Sequence, residues 1–238
     1  MLFINVFCRK RIVSGYAVIL LMIFYVTFWI TRCLSLRDMD CIELQKVIKK
    51  SDFMIYDVKM GEGYHLICLP LDSIPVILQC LVIMSEDRRF YDHRGIDIFR
   101  AFTAVQTNYK AGKTVLGAST ITQQLVKILW GSHKRTVLGK IHESFGALIL
   151  DALLTKDRIL ELYFNSAVWI PGHIGIYNAV FHEYKKKVSA LNQHEMIALS
   201  VSLPAPVLPE MLDTNRRYHN RYIRLKEEAV KTGLLESD

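Results

Sequence analysis

Glu86 and Asp87 are the residues whose types and position first suggest chemistry. They follow an apolar run, Val76 to Met84, and precede the aromatic pair Phe90-Tyr91, then His93, Gly95 and a third carboxylate, Asp97. An apolar helix that ends on an acid places that acid at the edge of a core. One wall there is dry and the other faces a cleft. Desolvation of that kind raises a carboxylate's pKa and makes it a usable general base or acid. Taken alone, the stretch is a weak signal, because most Glu-Asp pairs are solvated helix ends.

A second segment, Gly117 to Lys127, reads G-A-S-T-I-T-Q-Q-L-V-K. Thr120 and Gln123 have the T-x-x-Q form of a capping box, which predicts a helix start. Ile121, Leu125, Ile128 and Leu129 form its buried stripe. Gln123, Gln124 and Lys127 share another face. A helix N-terminus ringed by hydroxyls, with a lysine near it, suits an anion, and equally suits an ordinary capped helix. Gly112-Lys113-Thr114 ends like a Walker phosphate loop, but Thr107 stands where its first glycine belongs. A third segment, Val137 to Leu154, reads as a helix. Ile141, Phe145, Leu148 and Ala152 fall on one face, and Lys140, Glu143, Ala147 and Asp151 on another. Arg135 lies just before it, so Glu143 follows a group of cations. A solvated Lys140–Glu143 pair of little energetic worth is the plainer reading.

The elements that position these residues sit in a chain of 238 residues with net charge +7 and 51% hydrophobic residues. No charge interrupts Ile12 to Thr31, which is flanked by Arg9-Lys10-Arg11 and by Arg32. That length suits a membrane-spanning helix, with Tyr25 and Trp29 towards its far end. The basic cluster places the N-terminus in the cytoplasm and the remainder outside. No small-x-small cleavage site follows, which favours an anchor over a signal peptide. The expected division is a cytoplasmic N-terminus over 1–11, a membrane helix over 12–31, a linker over 32–69 and one domain over 70–238. Phe53 to Val58 and Tyr64 to Leu69 fit a short β-hairpin around Gly61-Glu62-Gly63. The rest is helix after helix, broken at Gly131, Pro171-Gly172, Pro204–Pro209 and Gly233. The fold class is therefore mainly α. The five cysteines include no C-x-x-C pair, against a zinc or redox motif, and their odd number argues against a full disulfide framework. Arg216, Arg217, Arg221 and Arg224 fall mostly on one terminal helix, facing membrane phosphates or a neighbouring helix rather than nucleic acid.

Together these segments resemble the peptidoglycan glycosyltransferases, glycosyltransferase family 51, found in penicillin-binding proteins and in monofunctional transglycosylases. The first motif resembles Glu86 to Asp97, the second Gly117 to Lys127, and the third Lys140-Ile141-His142-Glu143 with Ala147 to Asp151. The fourth resembles Lys156-Asp157-Arg158-Ile159-Leu160-Glu161-Leu162-Tyr163-Phe164-Asn165, and a weaker fifth Leu191–Glu195 with Leu203 to Pro206. With the chain ending soon after Gly233, the expectation is the monofunctional form. The resemblance implies a lysozyme-like, two-lobed helical domain with a membrane-proximal jaw, in the inner membrane with its catalytic side in the periplasm. It implies polymerisation of lipid II onto a growing glycan chain, with release of undecaprenyl pyrophosphate and inversion to a β-1,4 linkage.

By the same resemblance, Glu86 is the general base and Glu143 the second essential acid, orienting substrate or a divalent cation (Mg or Mn) near the phosphates. No metal requirement follows, and no metal ligand is assigned. Lys127 and Arg135 contact the pyrophosphate. Ser119, Thr120, Gln123, Gln124 and Lys140 line the substrate cleft, and Asp87, Phe90, His93, Asp97, Glu161 and Asn165 support it. Other cell-wall synthases are candidate partners. The chain departs from the family at Ala118, Ile128 and Gly139, the last removing an arginine beside the pyrophosphate and weakening a helix start. Those departures keep two rivals open, a lipid II-binding scaffold and a lysozyme-like glycan-cleaving enzyme.

Overall fold

The computed structural model describes residues 2–50, 64–113, 117–131, 136–203 and 205–236. Its elements are α1 (Leu2–Ser35), α2 (Cys41–Lys50), α3 (Val76–Glu86), α4 (Ile98–Ala111), α5 (Ile121–Trp130), α6 (Val137–Leu153) and α7 (Lys156–Ser166). A two-stranded antiparallel sheet follows, β1 (Val168–Ile170) with β2 (His173–Ile174), then α8 (Ile176–Tyr184), α9 (Gln193–Ser202) and α10 (Arg216–Lys231). The mainly helical expectation holds. Within α1, Ala17–Ser35 is long and apolar enough to cross a membrane.

The core is built around α9, whose residues Glu195 to Ser202 are all buried. A helix buried on every side belongs at the centre of a domain. It packs against α3 and α10. On α10 the stripe Tyr218, Tyr222, Leu225 and Ala229 turns inward, and its spacing is that of one helical face. Trp29 and Cys33 from the end of α1, Leu36 just beyond it, Leu44 and Ile48 from α2, and Leu66 all join the same core.

Several readings change. The first arm and the turn of the expected hairpin, Phe53 to Gly63, lie outside the described residues. Its second arm, Tyr64 to Leu69, has no strand partner among the described residues. Side chains hold it instead: Gln45 Nε2 donates to the Tyr64 carbonyl at 2.7 Å and Asn178 Nδ2 to that of His65 at 2.8 Å. Cys41 and Cys68 form a disulfide, with Cα atoms 5.6 Å apart, joining α2 to this segment. The sheet lies elsewhere, around Pro171-Gly172, where the sequence reading has only a break. Gly172 sits at φ +85°, a turn conformation open to glycine.

On α6 neither face is wholly inward, and Phe145 alone of the apolar stripe's large side chains packs against the core. Ile141 is 59% and Leu148 44% exposed, while Ala147, Leu150 and Asp151 are buried. Asp151 is tolerated inside because Lys156 Nζ donates to it at 2.5 Å and the Thr122 hydroxyl at 3.3 Å. On α4 the stripe Ile98, Phe102, Val105 and Tyr109 points outward, with exposures of 64 to 88%.

Candidate active site

Glu86 is the last residue of α3, whose Leu78, Leu81 and Val82 are buried beneath it. Its side chain is 6% exposed. Burial pushes its pKa above the ordinary glutamate value, opposed by a hydrogen bond from Gln124 and by the charges of Arg221 and Arg100. The helix C-terminus acts in the same direction as burial, because unpaired carbonyls there disfavour a nearby anion. Gln124 Nε2 donates to Oε2 at 2.9 Å, and Arg221 Nη2 approaches Oε1 at 3.4 Å and the Ser85 hydroxyl at 3.2 Å. Burial likewise lowers the pKa of Arg221. For both partners the cost of leaving water thus exceeds their mutual attraction. Tyr163 donates to Gln124 Oε1 at 3.0 Å, and burial holds its phenol well above the usual tyrosine range. The chain Tyr163–Gln124–Glu86 therefore fixes the amide so that its NH₂ faces the carboxylate.

Asp87 is fully buried and braces the first motif against α5. Its carboxylate lies 3.0 Å from His93 Nε2 and accepts from the Ile121 backbone N–H at 3.0 Å. That side chain sits at the helix N-terminus, where it satisfies an otherwise unpaired backbone N–H. Both halves of the predicted capping box are present between Thr120 and Gln123. The Thr120 hydroxyl also donates to the Gly95 carbonyl at 2.6 Å, and Gln123 Nε2 to Ser144 on α6 at 2.9 Å. Gly95 has φ +74°, and a Cβ there would lie 2.3 Å from the Ala147 carbonyl oxygen. Only glycine lets this loop lie against the backbone of α6. Asp97 caps α4 at the Arg100 N–H, 2.9 Å away, and faces Arg89 at 3.4 Å. Phe90 is buried, with Lys156 Nζ 4.6 Å from its ring centre.

Lys140 on α6 bridges Ser119 at 3.0 Å and Glu143 at 3.2 Å. Thr136 caps this helix by accepting from the Gly139 N–H at 2.9 Å, which offsets the weak start expected of that glycine. Lys127 lies on α5, one turn beyond Gln123 and Gln124. Arg135 lies outside the described residues. Glu161 accepts from the Leu71 N–H at 2.9 Å, and Asn165 exchanges two hydrogen bonds with the Leu69 backbone, each 2.8 Å. These two hold the segment entering α3 and stand away from Glu86's own partners. Among the described residues no three His, Cys, Asp or Glu side chains gather as a cation site. Since Glu143 also faces Lys140, the donor set does not fit a protein-held Mg or Mn.

A cleft of about 540 Å³ opens beside Glu86, lined by Ser85, Arg88, Arg89, Arg100, Arg221 and Arg224 among others. Arg88 pairs with Glu228 and Arg89 with Asp97. Among the described residues the hydrogen bonds of the Arg100 side chain go to backbone carbonyls, those of Glu86 and Gly117, and none to an acid. Sequence reasoning missed Tyr163 and Arg221 as parts of the site. Tyr163 stands inside the fourth motif, and Arg221 stands beside the buried stripe of α10. No local pattern marks either as a neighbour of Glu86.

A family model described as Transglycosylase matches residues 55–229. The chain is 37% identical over 183 residues to the biosynthetic peptidoglycan transglycosylase of Brucella suis, covering 77% of this chain and 81% of that protein. It is 35% identical over 158 residues to the protein of that name from Thiobacillus denitrificans, covering 66% and 68%. Over 112 residues it is 44% identical to penicillin-binding protein 1B of Escherichia coli, 47% of this chain but 13% of that much longer protein.

Proposed function

The chain belongs to the transglycosylase family, and on that premise we propose that it is a peptidoglycan glycosyltransferase, joining lipid II units into β-1,4 glycan strands and releasing undecaprenyl pyrophosphate. The observation that carries this reading is Glu86, a buried carboxylate of raised proton affinity beside a cationic cleft. Glu86 takes the proton of the acceptor sugar's 4-hydroxyl as that oxygen attacks the donor's anomeric carbon. A base whose pKa is raised towards the working pH is better matched to that transfer than an ordinary glutamate. The bond from the anomeric carbon to the pyrophosphate oxygen breaks, and a single displacement inverts the centre. Negative charge grows on the leaving phosphates, where fixed cations stabilise it without moving a proton. Lys127, Arg135 and Lys140 take that role. Ser119 and Gln124 sit against Lys140 and Glu86, while Thr120 and Gln123, expected to line the cleft, are buried and brace the start of α5 instead. Glu143 orients Lys140. The arginine-lined cleft beside Glu86 suits the phosphates of the acceptor.

The same proposal places the domain outside the cytoplasm, behind one membrane helix, with the division at 1–11, 12–31, 32–69 and 70–238. The basic cluster Arg9-Lys10-Arg11 supports that orientation. So does the Cys41–Cys68 disulfide, which suits an oxidising compartment. The outward stripe on α4 and exposed Val137, Leu138 and Ile141 on α6 suit contact with lipid. The test is polymerisation of labelled lipid II by the purified full-length protein in detergent. Long glycan and free lipid pyrophosphate are expected from the native chain, and neither from Glu86→Gln. A folded native protein that binds lipid II and makes no polymer would refute the proposal and leave the scaffold reading.

A further inference from the structure

The end of α1 is docked on α6, the helix that carries Lys140 and Glu143. The Tyr25 hydroxyl lies 2.8 Å from His142 Nδ1, and the Tyr25 ring stacks on Phe145 with centroids 5.1 Å apart. Trp29 is fully buried, its ring 4.7 Å from that of His142 and edge-on to Trp130 at 5.4 Å. Gly146 makes this approach possible, because a Cβ there would lie 2.2 Å from the tip of the Trp29 ring. His142 and Gly146 are one turn apart on the flank facing α1. Lys140 and Glu143 share a different flank, next to Ser119. Burial and the nearby Arg32 lower the pKa of His142, with Glu143 opposing. The neutral ring meets the phenol in either tautomer, since a phenol both donates and accepts.

We propose that this joint is a positioning device: Tyr25 and Trp29 of the membrane helix, through His142 and Gly146, set the placement of α6 and so of Lys140 and Glu143 at the leaving phosphates. The proposal rests on the reaction assigned above. The membrane helix is then a wall of the catalytic domain as well as its anchor. The four residues touch no substrate and act through Lys140 and Glu143. Because Lys140, held by Glu143, meets charge that grows in the transition state, disturbing the joint lowers kcat more than it changes KM.

The test uses the full-length protein, with kcat and KM for lipid II polymerisation measured on each variant. In Gly146→Ala the added methyl forces α1 and α6 apart, and a displacement of about 1 Å costs up to about 100-fold in rate. Alanine is otherwise the better helix former, so loss of helicity does not explain a fall. Trp29→Phe shortens the ring, and the double variant Gly146→Ala/Trp29→Phe recovers most of the rate. His142→Ala lowers kcat about three- to tenfold, the worth of one hydrogen bond. His142→Asn, which keeps a polar atom near the Nδ1 position, restores it. Should Gly146→Ala fail to fold, the His142 pair decides alone. Native kcat in Gly146→Ala and His142→Ala overturns the proposal, as does a loss that neither Trp29→Phe nor His142→Asn restores. A native protein that makes no polymer refutes the assigned reaction and takes this inference with it.

Discussion

Replacing Arg221 by Met tests whether the last helix tunes the base. Arg221 Nη2 stands 3.4 Å from Glu86 Oε1, with the side chains 26% and 6% exposed. Hydrogen bonds to charged groups are worth about 1.5–3 kcal/mol, and 3.4 Å is long, so the lower end applies. The methionine keeps the bulk and removes the charge that opposes Glu86's burial. The ionised base is then less stable, its proton is held more tightly, and the acid limb of the pH–rate profile moves to higher pH. About 1.5 kcal/mol corresponds to roughly a tenfold fall in kcat/KM on that limb, shrinking to nothing where Glu86 is fully ionised in both proteins. The assay is lipid II polymerisation from pH 5 to pH 9 at fixed ionic strength. If Arg221→Met lowers the rate equally at every pH, or raises KM with an unmoved profile, Arg221 serves the substrate's phosphates alone and its assigned hold on Glu86 is wrong.

Two other outcomes follow from the same geometry. The Cys41–Cys68 bridge spans 27 residues. Opening it with reductant, or by Cys41→Ser with Cys68→Ser, removes about 3–4 kcal/mol by the loop-entropy account and lowers Tm by about 6–16 °C, read by thermal unfolding. Glu86 has a folded-state pKa above its unfolded value. Its ionisation therefore costs stability, a cost absent below the unfolded pKa and complete above the folded one. Glu86→Gln is expected to melt higher than the native chain at neutral pH, by about 2–4 °C per kcal/mol relieved, with the gap closing as pH falls towards 4.5. Equal melting temperatures across that range would mean that the native carboxylate is not penalised by burial.

The elements with local causes were legible in the sequence. The start of α5 was readable because a capping box is a four-residue device, and both of its hydrogen bonds are present. The apolar run of α3 ends on Glu86 as its pattern required. Side-chain periodicity was less informative on α4 and α6. A helical stripe records that a face is apolar, and packing decides whether protein or another apolar medium covers it. So Ile98, Phe102 and Val105 look outward, while Asp151 is buried with Lys156.

The helical class, the apolar segment near the N-terminus and the acids and cations of the motifs are all written in the order of residues. Their surroundings come from the folded chain. Arg221 reaches Glu86 from 135 residues away, and Tyr163 reaches Gln124 from 39. The Cys41–Cys68 pairing and the seat of Trp29 on Gly146 are likewise non-local. The physical reason is one of range. Caps, turns and periodicity act through neighbours along the chain. Desolvation and the pairing of charge depend on whatever the completed fold brings within a few ångströms.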